Sequence, residues 1–204
     1  MIRFWRVVML PNILALLLSG FGCKPADAPP ASGKTAPPPP EKATTRPAAP
    51  SVNIQIEATT APRIVLEAEA GTIQAPMEKR KDENASGGEY VEAPEGPEHQ
   101  ELSIGGSVTL PFKVTAPGNY ELWLRVWWCC SCGNSLDLKL DGEDLGYITN
   151  NNLRVWQWMR CPKGPFTLSA GEHVLVVGNR EDGSRLDQVL FIADSEYVPA
   201  GIER

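Results

Sequence analysis

Two histidines are all the sequence offers in 204 residues. His99 sits in the acidic loop "EGPEHQE", and His173 opens the apolar run of "AGEHVL". Neither accompanies a nucleophile in a G-x-S-x-G setting, and H-E-x-x-H and P-loop spacings are missing. Glu67 and Glu69 form an acid pair, but neighbours on one strand seldom flank a substrate cleft as glycosidase carboxyls do. A non-catalytic role is therefore expected. The chain also lacks a block rich in lysine and arginine, and its formal net charge is −6. Phosphate backbones need a basic surface, so nucleic acid is not an expected partner. Beyond residue 23 no apolar run approaches the ~20 residues of a membrane span. A long amphipathic helix is missing too, and "MEKRKDENA" (77–85), charged all round, reads as a loop.

What is present begins with an export signal. Arg3 and Arg6 supply the positive region, and Val7 to Leu18 is apolar apart from Pro11 and Asn12. "LLLSGFGC" then resembles a bacterial lipobox, which implies cleavage before Cys23 and a lipid on that cysteine. Gly20 stands where leucine is usual, and Phe21 is bulky for its place; ordinary cleavage near Ala26 or Ala28 is the alternative. The lipid reading makes residues 1–23 a signal and places the protein at the cell envelope, touching membrane only through its lipid. Residues 24–62 are dominated by proline and alanine and cannot bury a core. They read as a tether that reaches ~120 Å at ~3.1 Å per residue. Within it, "VNIQIEA" (52–58) alternates like a short strand.

From Arg63 the pattern changes to period two with turn punctuation. Strand-like runs include "RIVLEAEA", "GEYVEA", two around Ala116-Pro117-Gly118-Asn119, and "LRVWQWMR". Turn signals stand at Asp141-Gly142, Ala170-Gly171 and Asp182-Gly183. Roughly eight short strands predict an all-β antiparallel sandwich over 63–199, with 200–204 as a tail. In "YELWLRVWW", Tyr120, Leu122, Leu124, Val126 and Trp128 share a core-like face. Trp123, Arg125 and Trp127 share the other, and Arg154, Trp156, Trp158 and Arg160 likewise fall on one face. Indoles on outer faces mark either a binding surface or a satellite core under long loops.

"VLEAEAG", "ASGGEYVE", "APGNYELWLRV", "LSAGEHVLVV", "RLDQVLF" and "YVPAG", in that order, resemble the β-sandwich carbohydrate-binding modules of families six and thirty-five. The resemblance covers 63–199 and implies a galactose-binding-like jelly roll. It also implies a structural calcium ion, with Glu67 and Glu69 of the first strand and Asp187 near the last as ligands. Calcium takes 6–8 hard oxygens, and residues two apart on a strand point the same way. The other reading is two exposed glutamates and an unrelated aspartate. Sugar recognition in such modules uses aromatic and polar groups on loops. The candidates here are Trp156, Trp158, Tyr90, Asn179, Arg180 and Asp182; the last three also read as a polar hairpin turn. A glycan-binding module with a polysaccharide partner is expected, against a structural or protein-interaction sandwich without a sugar site.

Cysteines 129, 130, 132 and 161 remain. Export favours disulfides. Cys132–Cys161 or Cys130–Cys161 is expected, the latter leaving 129–132 as the remaining pair. A zinc site is the weaker reading, because C-x-x-C at 129–132 lacks a second such motif or a nearby histidine. A thioredoxin-like role needs its C-x-x-C at a helix start, and this one follows a strand.

Overall fold

The computed structural model describes residues 60–95 and 105–204. Cys23, the 24–59 part of the tether, "VNIQIEA" and His99 lie outside the described residues. Twelve strands occur among the described residues: β1 Arg63–Glu67, β2 Thr72–Gln74, β3 Glu78–Lys81, β4 Glu89–Glu92, β5 Ser107–Val114, β6 Gly118–Trp128, β7 Ser135–Leu140, β8 Glu143–Thr149, β9 Gln157–Arg160, β10 Phe166–Leu168, β11 Gly171–Asn179 and β12 Ser184–Ile192. They form two antiparallel sheets. One runs β10-β6-β12-β4-β3, with β9 also on β6 and β1 also on β12; the other runs β2-β5-β11-β7-β8. The domain is an antiparallel β-sandwich, as the alternation predicts.

The core follows from that alternation. Tyr120, Leu122, Leu124, Val126 and Trp128 are buried on the inner face of β6, against Val108, Leu110 and Phe112 of β5 and Leu175 and Val177 of β11. Phe112 stacks on Phe191 of β12 across the sandwich, with ring centroids 4.5 Å apart. The β7–β8 hairpin turns on Asp141 (φ 52°) and Gly142 (φ 84°), the two left-handed positions a type I′ turn requires.

Three expectations change. "MEKRKDENA" is not all loop, because Glu78–Lys81 forms the edge strand β3 on β4. Its charges belong to an edge, where Lys79 reaches Glu89 at 3.5 Å and Arg80 pairs with Glu78 and Glu92. "RIVLEAEA" is a strand only to Glu67, and Ala68–Ala70 is a 3-10 turn. The disulfide joins Cys130 to Cys132, while Cys129 and Cys161 are buried thiols. Strand register explains that correction. β9 runs antiparallel to β6 with Arg160 opposite Trp123, so the Cys161 N–H bonds the Leu122 carbonyl at 2.8 Å. Cys129 lies seven residues beyond Leu122, just past the end of β6, about 23 Å away at the usual rise. Cys161 therefore cannot reach the cluster, and the four thiols do not converge as a zinc site needs.

The C-terminal residues are part of the domain. Gln188 donates through Nε2 to the Glu203 carbonyl at 3.0 Å and accepts from the Glu203 N–H at 3.0 Å. Trp158 Nε1 donates to the Gly201 carbonyl at 2.9 Å. The tail thus crosses the outer face of the larger sheet, where Leu190 and Ile192 are fully buried outside the central cluster. Part of the outer face, at Leu190 and Ile192, is therefore covered rather than open to solvent, while the outer indoles Trp123, Trp127, Trp156 and Trp158 are only half-buried.

Candidate functional site

The rest of that outer face forms an open cleft of about 680 Å3, with Trp127, Trp156, Arg125, Arg154, Asp82 and Ile202 in its walls. Cross-strand pairing builds its floor. Arg125 stands opposite Trp158 on β9 and Gln188 on β12, and Trp127 stands opposite Arg185. Directly opposed residues share a face, so these groups point outward together. Trp156 precedes β9. Its indole N–H donates to Asp82 Oδ2 at 3.2 Å, and its ring meets the edge of Tyr90 at a centroid distance of 5.6 Å. Arg125 lies 5.0 Å over the Trp156 ring, and Arg185 lies 3.9 Å over Trp127. These guanidiniums hold the indoles in place by cation–π contact.

Electrostatics keep the cleft polar. Burial works against ionisation of Asp82, but hydrogen bonds from the Asn84 backbone and side chain and from Trp156 outweigh it, so its acidity is raised. Tyr90 is pushed up to about 12 by burial and by Glu92, so its hydroxyl remains a donor, held on Glu92 Oε2 at 3.1 Å. Arg154 was not singled out as a site residue in the sequence. Its left-handed backbone (φ 60°) is costly for a residue with a side chain. Its N–H bonds the Trp128 carbonyl at 2.8 Å and its Nε bonds the Cys129 carbonyl at 3.2 Å. The three-cysteine loop therefore fixes one wall of the cleft. Gly201 and Ile202 supply another, which no periodicity could signal.

The sequence-predicted sugar residues fall in two places. Trp156 lines the cleft and its ring meets the edge of Tyr90, while Trp158 does not line it and bonds the tail at Gly201. Asn179, Arg180 and Asp182 stand at the loop end of the sandwich and do not line the cleft. Asn179 is buried, and Arg180 bonds Ser135 Oγ at 2.9 Å and lies 4.3 Å over Tyr147. Asp182 is buried beside Cys129, whose sulfur is 3.8 Å from the Asp182 carbonyl. Burial, with Glu95 and Asp182 nearby, pushes the Cys129 thiol up to about 11.

Glu67, Glu69 and Asp187 do come together: an oxygen of each lies within 4.8 Å of the others. The cause differs from the one expected. Glu69 reaches the cluster through the 3-10 turn after β1, and Asp187 through a bulge in β12 between Leu186 and Gln188. Glu67 Oε1 accepts from Ser86 Oγ at 2.9 Å and Gln188 Nε2 at 2.8 Å. The second oxygens of Glu67 and Glu69 are buried and without a hydrogen-bond partner. Burial raises the Glu69 pKa, and the Glu67 and Asp187 charges add to it. Burial also raises Asp187, against the pull of Arg125. Two orphaned buried oxygens among hard carboxylate donors fit a divalent cation such as calcium.

Solved structures share this architecture. A family 35 carbohydrate-binding module from Clostridium thermocellum superposes with a TM-score of 0.52 at 15% identity, covering 66% of this chain and 100% of the module. The C-terminal family 6 module of a marine laminarinase from Zobellia galactanivorans gives 0.50 at 20%, covering 64% and 99%. The chain has the carbohydrate-binding-module fold. A Podospora anserina β-(1,4)-mannanase bearing a family 35 module carries the same fold, with a TM-score of 0.53 at 14% identity over 69% of this chain. This chain spans only 30% of that enzyme. Neither a protein-family model nor a curated protein matches the sequence. For a carbohydrate-binding-module fold, the outer-face cleft and the acidic cluster are the two features with chemistry to explain.

Proposed function

We propose that the protein is a non-catalytic glycan-binding module, lipid-anchored through Cys23 to a bacterial envelope, whose sugar ligand rests in the outer-face cleft. The reading is carried by two indoles, Trp127 and Trp156, set among charged and amide groups in one cleft. An indole face stacks on the C–H face of a pyranose, while Asp82, Asn84 and Arg154 meet its hydroxyls. Glu67, Glu69 and Asp187 would hold a calcium ion. When bound, the ion supplies counter-charge that ties the end of β1 to the β12 bulge. The residues around them act on the fold: Ser86 and Gln188 orient Glu67, and Arg125 orients Asp187.

The test is retention of the full chain on a polysaccharide panel, with Trp127→Ala and Trp156→Ala beside it and circular dichroism to confirm folding. One glycan class is expected to retain the protein. Each substitution is expected to weaken binding about two- to twelvefold, the range of one aromatic contact at ~0.5–1.5 kcal/mol. A folded protein that no polysaccharide retains would transfer the domain to the protein-interaction reading.

A further inference from the structure

Arg125 touches both features at once. Its Nη1 pairs with Asp187 Oδ2, its Nη2 donates to the Asn84 carbonyl at 3.1 Å, and its guanidinium lies 5.0 Å over Trp156. The residue is buried, so these contacts hold one conformation between the acidic cluster and the cleft wall. The other Asp187 oxygen accepts from the Ser86 N–H at 2.9 Å. Arg125 is thus the only guanidinium paired with the cluster among the described residues, set against three carboxylates.

We propose that Arg125 is a positioning residue that couples the acidic cluster to the cleft. This rests on the calcium and glycan reading above. With the cluster empty, the guanidinium neutralises Asp187. With the cluster cation-loaded, like charge weakens the hold of Arg125 on Asp187. Its charge then shifts toward the Trp156 ring and the cleft. Linkage is reciprocal: whatever factor the cation adds to ligand affinity, the ligand adds to cation affinity.

The experiment titrates calcium chloride into the chelator-stripped full chain, with calorimetry for affinity and tryptophan emission for the cleft. Calcium is expected to change the emission, and the change to vanish in Trp156→Phe. Arg125→Met removes the competing cation and is expected to bind calcium at least about tenfold more tightly, with a melting temperature that depends on calcium more than that of the wild type. Should Arg125→Met not fold, Arg125→Lys serves: calcium affinity stays within about twofold of wild type because the charge is kept, and the emission response shrinks because the planar stack is lost. Calcium that fails to bind, that binds without moving Trp156 emission, or that binds Arg125→Met no tighter than wild type overturns the proposal. A calcium response at Trp156 in a protein that no polysaccharide retains upholds the coupling while the glycan reading fails.

Discussion

His173 gives the domain a pH dependence whose sign the geometry fixes. Its Nδ1 lies 2.6 Å from Asp141 Oδ2 and its Nε2 lies 2.9 Å from the Ser169 carbonyl. Both partners accept, so both ring nitrogens must donate, and only the imidazolium carries two N–H groups. The hydrogen bond to Asp141, then that to Ser169, raises the His173 pKa above its ordinary value. A raised folded pKa stabilises the charged form. The contribution is complete below about pH 6.5, the unfolded value, and is lost as pH rises through the folded value. A hydrogen bond to a charged group contributes about 1.5–3 kcal/mol. Asp141 is 46% exposed. Solvent screening reduces the expectation to about 1 kcal/mol, which is about 3 °C in a domain of this size. His173→Phe keeps a ring beside Phe112, which His173 now stacks on at 5.6 Å, and removes both hydrogen bonds. Melting temperatures of wild type and variant are expected to differ most near pH 5.5 and to converge toward pH 9. With only one other histidine in the chain, the His173 titration is directly assignable by NMR. A pKa at or below 6.5, or a gap that does not change with pH, would refute the reasoning.

Other outcomes follow from packing and covalent chemistry. Trp128 is fully buried with its N–H on Asn150 Oδ1 at 3.0 Å, so Trp128→Ala is expected to cost about 3–5 kcal/mol in urea unfolding. Gly133→Ala would drive a methyl into the Asp182 carbonyl and the Cys129 sulfur. Gly142→Ala meets open space and suffers only from its positive φ, so it should cost about 1 kcal/mol against at least about 2 for Gly133→Ala. Alkylation of the folded, non-reduced protein should leave Cys129 and Cys161 unmodified until denaturant is added, and peptide mapping should then recover a 130–132 bridge. A cross-link to Cys161 would contradict the β6–β9 register.

The parts of this fold that were legible in sequence are those where burial writes a period. The inner face of β6 was readable because every second residue is apolar from Tyr120 to Trp128, and the β7–β8 turn because Asp141-Gly142 suits left-handed backbone. β3 was not, because an edge strand held by backbone pairing and charge pairs leaves no apolar alternation. The disulfide was misread because pairing depends on where β9 meets β6, and register is a tertiary property. At the candidate site the acidic trio was nameable from resemblance, yet a 3-10 turn and a bulge, rather than strand alternation, bring it together. Trp156 was visible as an outer-face indole. Arg154 was visible on the same face but its left-handed backbone was not, and the tail residues Gly201 and Ile202 were not visible at all, since a folded-back terminus carries no local signal.

The bulge in β12 separates chain length from side-chain phase. Leu186 opposes the inward Val126, Gln188 opposes the outward Arg125, and Val189 opposes the inward Leu124. Asp187 is therefore supernumerary: excising that single codon would leave Leu186, Gln188 and Val189 in regular alternation with their present faces. The acidic cluster would lose its third member, and no apolar residue would change sides. A family of such sandwiches could thus gain or discard this carboxylate by a one-residue insertion or deletion, with the hydrophobic core indifferent to the event.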